Sequence, residues 1–113
     1  MYYVFLKKMK LLTSLHFKYV FNQANKVQCK ELIILERKNF LMFSRLGISI
    51  SKKKIKNSCK RNKIKRVIRE SFRLVHKKLI NSDFVVVVNT CSLSIDSKLL
   101  AKKLGELWVY YYQ

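Results

Sequence analysis

Residues Ser51 to Lys78 read SKKKIKNSCKRNKIKRVIRESFRLVHKK, and this stretch concentrates the side chains able to act on a partner. Lys52, Lys53, Lys54, Lys56, Lys60, Arg61, Lys63, Lys65, Arg66, Arg69, Arg73, Lys77 and Lys78 are thirteen of the chain's 25 basic residues; the one acid among them is Glu70. From Asn62 onward the apolar residues Ile64, Val67, Ile68, Phe72, Val75 and Leu79 recur in steps of three and four, the period of a helix with one buried face. Lys65, Arg69, Arg73 and Lys77 form an i,i+4 column on another side, with Asn62 and Arg66 one column over. Each like-charge pair costs a helix a few tenths of a kcal/mol. Such a column needs a buried opposite face and an anionic partner. A solvated surface helix normally mixes signs, so a polyanion rich in phosphate is the better match.

The chemistry the chain lacks is equally informative. Its six acids are scattered, with no pair placed as a carboxylate dyad. Neither His16 nor His76 has a serine or cysteine in a nucleophile pattern. No glycine-rich phosphate loop is present. A protein-borne nuclease centre is therefore not expected. Cys29, Cys59 and Cys91 are far apart and odd in number, without a C-x-x-C pair; they read as buried or half-buried thiols in a reducing cytosol.

The same stretch carries a family resemblance. Gly47-Ile48-Ser49-Ile50-Ser51-Lys52-Lys53, followed by Lys60-Arg61-Asn62-Lys63-Ile64-Lys65-Arg66-Val67-Ile68-Arg69-Glu70-Ser71-Phe72-Arg73, resembles the signature of the bacterial ribonuclease P protein component. In that family a strand ends in Ser/Ala-Lys-Lys, and Arg-Asn-Arg-x-Lys-Arg-x-x-Arg opens a helix. Lys63 stands where the family usually has arginine, which keeps the charge but loses the planar fork. Ser58 stands where alanine is frequent. The resemblance implies that Lys52, Lys53, Arg61, Asn62, Lys63, Lys65, Arg66 and Arg69 face a catalytic RNA. That RNA and its Mg²⁺ would cleave the 5′ leader from precursor tRNA, with no metal bound by this chain alone. It also implies a cytoplasmic ribonucleoprotein in which the protein grips the leader.

The elements that must position these residues follow from patterning. Thr13 caps a short helix with Leu15, Phe17, Tyr19, Val20 and Phe21. Spacing alone makes Phe17 and Phe21 core residues on one face. The resemblance instead puts them on the floor of the leader cleft, where aromatic faces stack on unpaired bases. Ile34 falls where the family often has an aromatic in that cleft. Strands are expected near Val27–Cys29, in the apolar run Leu32–Leu35, and over Met42–Ser51, where Leu46, Ile48 and Ile50 alternate with Arg45, Gly47 and Ser49. Phe84–Val88 is a continuous apolar run, typical of a strand buried on both faces. Asp96 or Ser97 caps a last helix with Leu99, Leu100, Leu104, Leu107, Trp108 and Tyr111 on its apolar side, Trp108 in the core, and fraying over Tyr110–Tyr112.

This order gives an α+β two-layer sandwich with a mostly antiparallel sheet of about four strands. The general rule makes a β-α-β unit right-handed in about 98 % of cases. The resemblance implies a left-handed crossover, which is adopted here. Residues 1–113 form a single RNA-binding domain, with 1–8 a frayed extension. With net charge +19 and half its residues hydrophobic, the chain is expected to fold around a core and to meet an acidic partner. A ribosomal or other structural RNA-binding protein is the alternative; it shares the charge but not the ordered motif. A DNA-binding helix-turn-helix lacks its preceding helix. A membrane-surface helix would need the apolar face that covers the sheet.

Overall fold

A computed structural model describes residues 25–39, 41–50, 57–89 and 96–113. The strands are β1 (Asn25–Gln28), β2 (Leu32–Lys38), β3 (Arg45–Ile50) and β4 (Ser82–Val88). The helices are α1 (Ser58–Val75) and α2 (Ser97–Trp108), the latter running into a 3-10 turn at Val109–Tyr111. The sheet order is β1-β2-β4-β3. The β1–β2 and β2–β4 pairs are antiparallel and β3–β4 is parallel. A parallel pair needs a long crossover, and α1 supplies it.

Register decides which side chains face the helices. Ile34, Val86 and Ile48 stand opposite one another, as do Glu36, Phe84 and Leu46. On this face Leu32, Ile34, Leu46, Phe84, Val86 and Val88 pack with Ile64, Ile68 and Phe72 of α1 and Leu100, Leu104, Leu107 and Trp108 of α2. Trp108 joins the sheet and the two helices, with its ring 5.8 Å from Phe72 and 5.4 Å, edge-on, from Phe84. Its indole N–H donates to Ser71 Oγ at 3.0 Å, so its polar atom is satisfied inside the core.

Both helices begin on a capping side chain. Asn57 Oδ1 accepts from the Lys60 amide at 3.1 Å, and Asp96 Oδ1 from the Leu99 amide at 2.8 Å. Helix α1 therefore starts four residues before Asn62, and the Arg61-Asn62 motif sits inside its first turns rather than opening it. Three further expectations are corrected. Leu99 is exposed rather than on the apolar side, and Cys59 is exposed rather than buried. Tyr111 is buried, as its place on the apolar side implied, and does not fray. Its hydroxyl lies 3.3 Å from the Asn25 carbonyl oxygen and 3.4 Å from that of Ile34. Beside it, Ile80 N–H donates to Tyr111 O and Gln113 N–H to Lys78 O, both at 2.9 Å.

At one end of the other sheet face Asp83 is almost fully buried. Arg45 donates to it through Nε at 2.7 Å and Nη2 at 2.6 Å, and Asn39 Nδ2 donates at 2.9 Å. Two-pronged pairing fixes the guanidinium as well as neutralising the carboxylate. Arg45→Ala should cost about 3–5 kcal/mol, because it leaves a buried carboxylate short of its partner; urea denaturation of the purified variant measures this. Tyr111 offers a pH test. Burial, and secondarily the charge of Glu36, push its phenol up to about 12. The folded state thus holds that proton more tightly than the unfolded chain does. Stability should be intact below about pH 10 and decline toward 12. Tyr111→Phe should flatten that decline in alkaline melting curves.

Candidate nucleic-acid interface

Helix α1 divides into three sectors, each set by the 3.6-residue period. Ile64, Ile68 and Phe72 form the buried stripe. Val67, Ser71 and Leu74 turn toward α2. Away from α2, Asn62, Lys65, Arg66, Arg69 and Arg73 make a basic flank, with Lys77 in the turn that follows the helix. Of these, Asn62, Arg66, Arg69 and Lys77 are exposed, while Lys65 and Arg73 are half-buried. Among the described residues the only acid beside the flank is Glu70, paired with Arg73. That guanidinium holds its carboxyl below the usual range. Glu70 is largely exposed, so the pair adds little stability. The flank remains strongly positive.

The N-terminal end of α1 adds to the positive field. No acid stands in its first turn, where Lys60 and Arg61 sit instead. Cations next to the positive end of a helix dipole are unfavourable, and an anion docking there relieves the repulsion.

The structure brings together part of the expected site. Asn62, Lys65, Arg66 and Arg69 share the basic flank. Arg61 lies along the line of the core stripe, half-buried at its N-terminal end. Lys63 is exposed but lies one turn before Val67, on the flank that faces α2. Lys52, Lys53, Phe17 and Phe21 lie outside the described residues. Ile34 is corrected: it is 0 % exposed and belongs to the core between sheet and helices. Because strand side chains alternate, its neighbours Ile33 and Leu35 face the opposite way.

That opposite face was missed in the sequence. Leu35, Val85 and Gly47 are aligned across β2, β4 and β3, as are Ile33, Val87 and Ser49. Arg37, Asp83 and Arg45 form the row at the end. The result is an apolar floor with small residues on β3 and two arginines beside a buried carboxylate. Four consecutive apolar residues in β2 carry no alternation from which this parity could be read. Val85 and Val86 are both fully buried, as the continuous run Phe84–Val88 implied.

Among the described residues no three of His, Cys, Asp and Glu cluster. Asp83 is paired with Arg45, Glu31 with Lys103 and Glu70 with Arg73, and Asp96 caps α2. Glu36 accepts from Asn25 Nδ2 at 2.9 Å inside the fold. These carboxylates do not suit an all-protein Mg²⁺ cage, which needs several oxygens around one octahedral ion. No described helix is long and apolar enough to cross a membrane.

Comparison with known proteins agrees with this geometry. The family model described as ribonuclease P matches residues 5–112. The chain is 56 % identical over 111 residues to the ribonuclease P protein component of Buchnera aphidicola subsp. Baizongia pistaciae, covering 98 % of this chain and 97 % of that one. It is 46 % identical to the component from Pasteurella multocida, over 92 % of this chain and 87 % of the relative. The solved ribonuclease P protein of Thermotoga maritima superposes with a TM-score of 0.76 at 28 % identity, covering 86 % of this chain and 92 % of that one. A four-stranded, mostly antiparallel sheet under two helices, one of them with a one-sided basic flank, thus accompanies matches over nearly the whole length: the chain belongs to the ribonuclease P protein family.

Proposed function

We propose that this chain works in the cytoplasm as the RNA-binding subunit of ribonuclease P, with the chemistry carried by an RNA partner. The observation that carries this reading is the division of α1, whose core stripe is buried while its basic flank is left for phosphate. Lys65, Arg66, Arg69 and Lys77 would neutralise phosphates of the catalytic RNA, with Asn62 donating from the same flank. The described carboxylates are engaged in pairs, caps and buried hydrogen bonds or stand apart. Mg²⁺ that serves cleavage would accordingly be held by RNA, and the protein's part is to reduce the phosphate repulsion around it.

The second sheet face is the better candidate for the single-stranded 5′ leader of precursor tRNA. Ile33 and Leu35 supply apolar contact there, in place of Ile34. Phe17 and Phe21 would complete the floor by stacking on bases. A structural RNA-binding protein with no part in cleavage would use the basic flank but would not distinguish precursor from mature tRNA.

Binding to the catalytic RNA should weaken steeply with salt, with a slope of about −4 to −5 for half a dozen phosphate contacts. Replacing Arg66 or Arg69 with alanine should make that slope shallower by about one unit each. A slope near zero in filter binding removes the basic flank from the interface. The decisive assay is reconstitution with the catalytic RNA on precursor tRNA, alongside RNA-free protein, which should not cleave. In the same assay Leu35→Ala should lower the ratio of precursor to mature tRNA affinity. Ile34→Ala should leave the ratio alone and cost about 2–5 kcal/mol of stability.

A further inference from the structure

Helices α1 and α2 do not close against each other along their whole length. Between them lies an open groove of about 410 Å³, in the size range of ligand sites. Its walls are Val67, Leu74 and Val75 of α1 and Ala101 and Gly105 of α2. Leu74 is 52 % exposed, although it stands on an apolar wall. A Cβ built on Gly105 meets no described heavy atom within 4 Å. Glycine is the least helix-favouring residue after proline, and no contact among the described residues requires it here.

The polar groups in the groove are already engaged. Ser71 Oγ accepts from Trp108, and the Glu70 carboxylate is paired with Arg73. Lys98 lines the mouth; outside the lining, exposed Lys102 lies one turn along α2 and exposed Lys63 one turn before Val67 on α1, so cations outnumber the exposed Glu106 one turn beyond Lys102. An apolar floor with an ammonium rim selects an occupant that is apolar along one line and acidic beside it. A second copy of this chain would bring +19 against +19. Single-stranded RNA would find no aromatic ring on which to stack.

We propose that this groove is the docking site for an acidic amphipathic helix of a partner protein. Apolar residues at i, i+3, i+4 and i+7 of that helix seat between Leu74 and Ala101, in the helix-in-groove mode. Carboxylates along its flanks reach Lys98, Lys102 and Lys63. The groove lies on the opposite side of α1 from Lys65, Arg69 and Arg73, so the docked helix leaves the basic flank open.

The test uses the full chain and a labelled peptide of about 18 residues, five helical turns, with leucines at those spacings and glutamates elsewhere. A scrambled peptide of the same composition measures attraction from net charge alone. The designed peptide should bind at least about tenfold tighter than the scramble in fluorescence anisotropy. Gly105→Leu, which fills the α2 wall, and Lys98→Glu, which reverses the rim, should each bring that ratio down by about tenfold without lowering the melting temperature. Equal binding of the two peptides, or a ratio that neither variant moves, overturns the proposal. So does concentration-dependent dimerisation in sedimentation that Gly105→Leu abolishes, since the groove would then belong to a second copy.

Discussion

Burial of the Ile64–Ile68–Phe72 stripe is the interaction on which the rest of the molecule depends. Lys65–Arg69 and Arg69–Arg73 are like-charge pairs one turn apart, together costing the helix about 0.5–1 kcal/mol. Removing the three apolar side chains from water returns roughly 5–9 kcal/mol by area, an upper figure because the unfolded chain already buries some of this surface. The core therefore outweighs the repulsion several-fold. It can hold a concentrated positive flank in one fixed orientation while no anion is present.

The same stripe links fold to sheet topology. Helix α1 is the crossover between the parallel strands β3 and β4, so whatever seats the helix on Phe84 and Trp108 also sets the pairing of those strands. Trp108 fills the junction, and its indole N–H on Ser71 ties α2 to α1 at one point. Tyr111 and the backbone bonds of Ile80 and Gln113 close the far end. The basic flank is thus mounted on a part of the fold secured from three directions.

Acidic residues are few, and their placement is telling. Glu31 and Asp83 are nearly inaccessible, and each is paired with a cation. Asp96 caps a helix. Glu36 lies within the fold against Asn25. Negative charge is thereby used to tie elements together, and little of it lies beside the flank of α1. In a chain of charge +19 this arrangement keeps the outward field positive while each interior carboxylate keeps a cation or a hydrogen-bond donor.

Sequence alone determined whatever is periodic and local. The steps of three and four gave the α1 core stripe and its basic column, the Leu46–Ile48–Ile50 alternation gave the face of β3, and Asp96 gave the start of α2. Tertiary structure decided whatever has no period or depends on distant partners. Leu32–Leu35 is apolar at every position, so only pairing with β4 could send Ile34 to the core and Leu35 to the other face. Spacing puts Tyr111 on the apolar side of α2, but only Phe84 and the carbonyl groups of Asn25 and Ile34 keep that end from fraying. The helix period keeps Lys63 off the basic column, but what it faces depends on where α2 packs. That placement is fixed by contacts of Trp108 with Ser71 and Phe72, more than thirty residues away along the chain.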